Sequence, residues 1–216
     1  MAVFCACALG VRAQTVVSYT GGVAGLTSNT MSAGIQMYKA SAFTIGSSDV
    51  SVSAVDFYTN AGANSANYVV SLWAATYNSA SAGQQSLVGS PLATVTVNAS
   101  DQSALTAATA TFSSAVTLSA NQTYMLVIGY SPVTGTSTTI GTTAFANESG
   151  TGVTPLTGLF RDSTGTVGTM DGAVNTTLSL AYSLVGTATA VPEPGTYAAI
   201  AGVLALGAVV WRRRRA

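Results

Sequence analysis

From Thr196 to Trp211 the chain carries no charged side chain, and the run ends against Arg212-Arg213-Arg214-Arg215. That arrangement constrains the protein more than any other part of its sequence. A membrane-spanning helix needs about 20 predominantly apolar residues, with a range of about 17 to 25. Gly195 to Trp211 reaches the lower end of that range, and the terminal arginines can extend toward the lipid headgroups. A cluster of cations beside a span stays on the cytoplasmic side, so the preceding residues are expected outside. A short apolar run can also be a buried core helix. Four consecutive arginines against Trp211 argue for a membrane stop instead.

Immediately before this run stands Val191-Pro192-Glu193-Pro194-Gly195. Motif, short span and basic stop together resemble the PEP-CTERM sorting signal of Gram-negative bacteria. The resemblance implies that exosortase, an intramembrane protease-transpeptidase, processes the tail near Val191, Pro192, Glu193 and Pro194. It makes Arg212, Arg213, Arg214 and Arg215 the membrane stop. Membrane contact through the C-terminal helix would then be transient. A plain single-span anchor is the alternative. A glycolipid-anchor signal has a longer polar spacer and needs neither the Pro-Glu-Pro element nor the arginines.

The opposite end reads as an export leader of residues 1–13. Met1 to Leu9 is apolar, and Val11-Arg12-Ala13 before Gln14 offers a small-residue cleavage site between Ala13 and Gln14. A basic leading segment is missing, which suggests that the true start lies upstream. Both cysteines, Cys5 and Cys7, fall in this leader. A mature chain beginning at Gln14 therefore has no disulfide, catalytic thiol or cysteine metal site.

Residues 14–190 form the exported domain, and residues 191–216 the sorting tail. Lys39 and Arg161 are the cations between Gln14 and Ala190, against Asp49, Asp56, Asp101, Glu148, Asp162 and Asp171. Two cations and six acids leave −4, so the chain-wide neutrality conceals an acidic domain and a basic tail. Two scattered cations make no footprint for nucleic acid. The chain has no histidine, which removes Ser-His-Asp, Cys-His and histidine-metal chemistry. The carboxylates formally allow a glycosidase pair but are sparse. The segment Asp162 to Gly172 lacks the ligand spacing of a calcium loop. No catalytic residue, metal ligand or cofactor is assigned.

The pattern upstream of the tail is all-β. Val50–Phe57, Asn67–Tyr77, Leu92–Val97 and Ala108–Phe112 alternate or are rich in β-branched and aromatic residues. Thr123–Tyr130 is almost continuously apolar, which suggests a central strand buried on both faces or under a loop. Thr177–Leu184 reads as one strand with Leu178, Leu180, Tyr182 and Leu184 on one face. Eight or so strands separated by Gly, Asn, Ser and Pro clusters imply an antiparallel two-sheet β-sandwich of jelly-roll type, followed by a C-terminal single transmembrane helix. Val70, Leu72, Phe112, Leu126 and Ile128 are the expected core.

Three segments resemble the choice-of-anchor R domains: Ala42-Phe43-Thr44-Ile45, Tyr68-Val-Val-Ser-Leu72-Trp73, and Phe112 through Leu118 and Tyr124 to Ile128. That family comprises exported β-sandwiches joined to various sorting signals, so the resemblance implies a cell-surface or exopolysaccharide-associated structural role and no defined activity. The competing expectation is a carbohydrate-binding module engaging exopolysaccharide. Tyr58, Tyr68, Trp73, Tyr77 and Tyr130 are its candidate stacking residues, since an aromatic ring offers an apolar face and a polar tip. Core packing is the default expectation for Trp73. An exposed row of these rings on one sheet face would favour binding, and burial of all of them would favour structure.

Overall fold

The computed structural model describes residues 14–19, 26–32, 38–60, 66–77, 85–99, 105–132, 137–144, 148–150, 152–161, 169–170, 177–188, 202, 204, 207 and 211–213. Upstream of residue 190 every described element is a strand. The strands are β1 (Gln14–Tyr19), β2 (Thr27–Ser32), β3 (Tyr38–Ile45), β4 (Val50–Asn60), β5 (Ala66–Thr76), β6 (Gln85–Ala99) and β7 (Thr106–Leu118). They continue with β8 (Thr123–Pro132), β9 (Ser137–Ala144), β10 (Glu148–Gly150), β11 (Val153–Arg161), β12 (Thr169–Met170), β13 (Leu178–Leu180) and β14 (Tyr182–Ala188).

Pairing is antiparallel throughout and nested: β5 with β6, β4 with β7, β3 with β8, β2 with β9, and β1 with β10. A long hairpin is thus folded across two sheets. One sheet runs β11-β3-β8-β5-β6-β12. The other runs β10-β1-β14-β4-β9-β13, with β2 on β9 and β7 on β4. The contiguous orders β3-β8-β5-β6 and β2-β9-β4-β7 are those of a jelly-roll sandwich. The closing strand β14 lies between β1 and β4, so the last residues before the tail are interior to a sheet.

Alternation places the core. On β8, Tyr124, Leu126, Ile128 and Tyr130 face the other sheet, where they meet Phe57 and Val55 of β4 and Tyr182 and Leu184 of β14 in one buried cluster. Val70, Leu72, Phe112, Leu126 and Ile128 all lie in it, as the pattern predicts. Phe57 and Tyr68 link the sheets edge to face, with ring centroids 5.7 Å apart. A polar tie crosses the same core: the Ser41 and Ser179 hydroxyls are 2.8 Å apart, and the Leu180 amide donates to Ser41 Oγ at 2.9 Å.

The expectation for Thr123–Tyr130 holds, because β8 is central and residues 124–130 are all buried. One other expectation needs correction. Thr177–Leu184 is not a single strand: the ladder breaks at Ala181, whose amide donates to the Gly141 carbonyl, so β13 pairs with β9 and β14 with β4. The period of two survives the break, and Leu180, Tyr182 and Leu184 all remain in the core. On β4 the burial alternation changes phase at Ala54 and Val55, where the ladder to β7 slips from Val52↔Val116 to Ala54↔Thr111. An irregularity of this kind re-aims the side chains that follow it.

Candidate functional site

Three places on this scaffold bear on function: the tail, the pole from which it leaves, and the outer face of the β8 sheet. In the tail, Gly202, Leu204, Gly207 and Trp211–Arg213 are helical and exposed. Among the described residues no helix is long and apolar enough to cross a membrane. Most of the expected span from Gly195 to Trp211 lies outside the described residues, as do Val191, Pro192, Glu193, Pro194, Arg214 and Arg215. Ala13 also lies outside them, whereas Gln14 is the first residue of β1.

The pole is set by strand register. β1 runs antiparallel to β14, with Gln14 opposite Gly186 and Thr15 opposite Val185. β14 in turn carries Ala188 opposite Val50 of β4. The first residue of the sandwich and its last strand residues therefore share one end. A Cβ at Gly186 would press into the Ser51 carbonyl oxygen, so only glycine lets β14 sit this close to β4.

Part of the outer face of the β8 sheet is apolar and buried, which is unusual for an antiparallel sandwich, where outer faces normally meet water. Ala40 and Ala42 of β3, Met125 and Val127 of β8, and Phe160 of β11 form a second buried cluster there. Tyr38, Trp73, Tyr77, Leu87 and Leu156 pack half-buried against it. Tyr77 meets Phe160 edge to face at 6.2 Å. The Tyr38 ring lies over Gly129, where a Cβ would be 2.6 Å from it. Trp73 Nε1 donates to Ser71 Oγ at 2.9 Å, which fixes the indole.

These positions divide the five candidate stacking residues. Tyr68 and Tyr130 are core residues with no free ring face. Tyr58 is half-buried on the outer face of the β4 sheet. Trp73 and Tyr77 share the outer face of the β8 sheet, so Trp73 packs outside the inter-sheet core, contrary to the default expectation. Sequence reasoning missed Tyr38 and Phe160. The small residues Ala40 and Ala42, alternating with Tyr38 on the same face of β3, were the available signal.

Two of the described carboxylates hold hydrogen bonds within the fold. Asp49 Oδ1 accepts from the Ala120 amide at 2.8 Å, and Asp56 Oδ1 accepts from the Thr109 hydroxyl at 2.6 Å. Asp56 is seven residues of extended chain along from Asp49, about 23 Å, well beyond the roughly 5 to 9.5 Å spacing of a glycosidase pair. Lys39 is only 2% exposed and sits opposite Arg161 in the β3–β11 register. Its charge is not on offer to a passing polyanion.

Comparison with known families bears on the tail. Residues 190–215 match the PEP-CTERM protein-sorting motif. The PEP-CTERM segment thus begins two residues after β14 ends, and it contains both the Pro-Glu-Pro element and all four arginines. Its match supports an exosortase-processed sorting signal on an exported, surface-directed protein. No curated protein matches the chain.

Proposed function

We propose that the chain is a non-enzymatic structural protein of the cell surface or extracellular matrix, associated with exopolysaccharide and delivered by its PEP-CTERM tail. In this reading the leader is cut between Ala13 and Gln14. The tail holds the domain at the inner membrane through one helix. Exosortase then severs the tail near Val191–Pro194, and the sandwich passes to the exterior. The observation that carries the reading is the sorting motif starting two residues beyond the strand that closes the sandwich. An address so placed can be removed without taking a strand. The resemblance of the sandwich to choice-of-anchor R domains agrees with this role.

The experiment is fractionation of cells with and without exosortase. The reading predicts tail-free protein in the matrix fraction of the first and tail-bearing protein in the inner membrane of the second. The same distribution in both cells would contradict it.

The half-buried rings of Tyr38, Trp73 and Tyr77 favour a second reading, in which the outer face of the β8 sheet stacks on a neutral polysaccharide. Stacking is largely indifferent to salt, whereas charge-driven binding weakens as the screening length falls from about 30 Å at 0.01 M to about 8 Å at 0.15 M. Pull-down by a neutral exopolysaccharide that is unchanged by salt and lost in Trp73→Ala supports binding. No retention at either salt leaves the structural role.

A further inference from the structure

We propose that the pole bearing Gln14 and Ala188 is the surface that the already folded domain turns toward the membrane while its tail is being processed. The proposal rests on the tail reading above and adds an orientation to it. Neither end is a loose extension. Gln14 is itself in the ladder with Gly186, and Ala188 is paired with Val50. Gly195 is seven residues along from Ala188, so the chain between strand and span reaches at most about 25 Å. The eleven residues of β4 extend about 36 Å, so the opposite pole stays well beyond that reach.

The described surface of this pole is compact. The turn Gly46–Asp49 joins β3 to β4, and Ser119–Gln122 joins β7 to β8. The Ile45 amide donates to the Gln122 carbonyl at 2.9 Å, and the Gly46 amide to the Gly152 carbonyl at 2.8 Å. Asn121 stands at φ 58°, and its amide donates to the Ile45 and Gly46 carbonyls at 3.1 and 2.9 Å. Asp49 caps the same pad through the Ala120 amide.

No lysine or arginine lies among the described residues of these turns. Anionic lipid therefore has nothing to attract there, and proximity comes from the tether alone. The orientation is accordingly temporary. Before cleavage the pad faces lipid and the processing enzyme, and after cleavage it is free.

Cysteine labelling tests this, because the chain's two cysteines both lie in the expected leader. Ser47→Cys and Gln122→Cys mark the pad, and Ala107→Cys marks an exposed site near the other pole. Each is introduced into the full chain, and spheroplasts with and without exosortase are treated with a bulky, membrane-impermeant maleimide. The proposal predicts that both pad sites in the tail-bearing form react several-fold more slowly than Ala107→Cys, and that the difference disappears in the tail-free form. Equal rates in the tail-bearing form would overturn it, and so would shielding that persists after tail removal. Intact mass on the same samples reports separately whether the tail is removed at all, so failure of the sorting reading is distinguishable from failure of the orientation.

Discussion

The two-sided burial of β8 makes a quantitative demand on neighbouring residues. Leu126 faces the inter-sheet core and Met125 faces the outer cluster, and both are 0% exposed. Leu126→Ala and Met125→Ala each remove a buried side chain whose surroundings are held in a hydrogen-bonded ladder, so the cavities collapse only partly. Each substitution is expected to cost about 2 to 5 kcal/mol. For a domain of this size, a loss of about 3 kcal/mol lowers Tm by roughly 6 to 12 °C. Reversible urea denaturation of the processed protein gives the free energies directly, with an unchanged slope showing that only stability moved. In an ordinary sandwich the Met125 position would face water, and its truncation would fall within about 0.5 kcal/mol of neutral. A Met125→Ala cost below ~0.5 kcal/mol, beside a full cost at Leu126, would therefore refute the second buried layer.

Further outcomes follow from particular residues. Tyr130 is buried and its hydroxyl has no hydrogen-bond partner among the described residues, so Tyr130→Phe is expected to be neutral or to stabilise by about 1 kcal/mol. Burial, with Tyr68 adding to it, raises the Tyr130 pKa above 10.0. The folded form then retains a proton that the unfolded form loses, so the contribution is complete below pH 10.0 and declines above it, and Tyr130→Phe is expected to flatten that alkaline loss in denaturation series. Gly186→Ala drives a methyl into the Ser51 carbonyl and is expected to lower the urea midpoint markedly. Thr15→Cys with Val185→Cys is expected to form an intramolecular disulfide on mild oxidation, read as the mass loss of two hydrogen atoms, because the two residues are paired across β1 and β14.

The sandwich was legible in the sequence wherever one local pattern decided the outcome. The apolar run at Thr123–Tyr130 pointed to a central strand buried on both faces or under a loop, and the alternation at Leu92–Val97 fell inside β6. Short strands such as β10 and β12 left no trace in the pattern, since three and two residues are too few for any period to show. The break at Ala181 was invisible for another reason: it changes pairing partners and leaves the face unchanged, and periodicity reports only faces. Trp73 shows the limit of reading a site from residue type. Its place between Leu72 and the alanines suits either face, and strand parity relative to Leu72 decided it. The sorting tail was the reverse case, because its information lies in contiguous residues that need no tertiary context to be recognised.

The measurement that bears most directly on the central claim is the intact mass of the protein recovered from outside the cell. Processing at the PEP-CTERM motif predicts a species that ends near Val191–Pro194 and lacks Trp211 and Arg212–Arg215, with any attached acceptor appearing as added mass at the new end. Recovery of the complete C-terminus through Ala216 on the cell surface would contradict processing and establish a permanent anchor in its place.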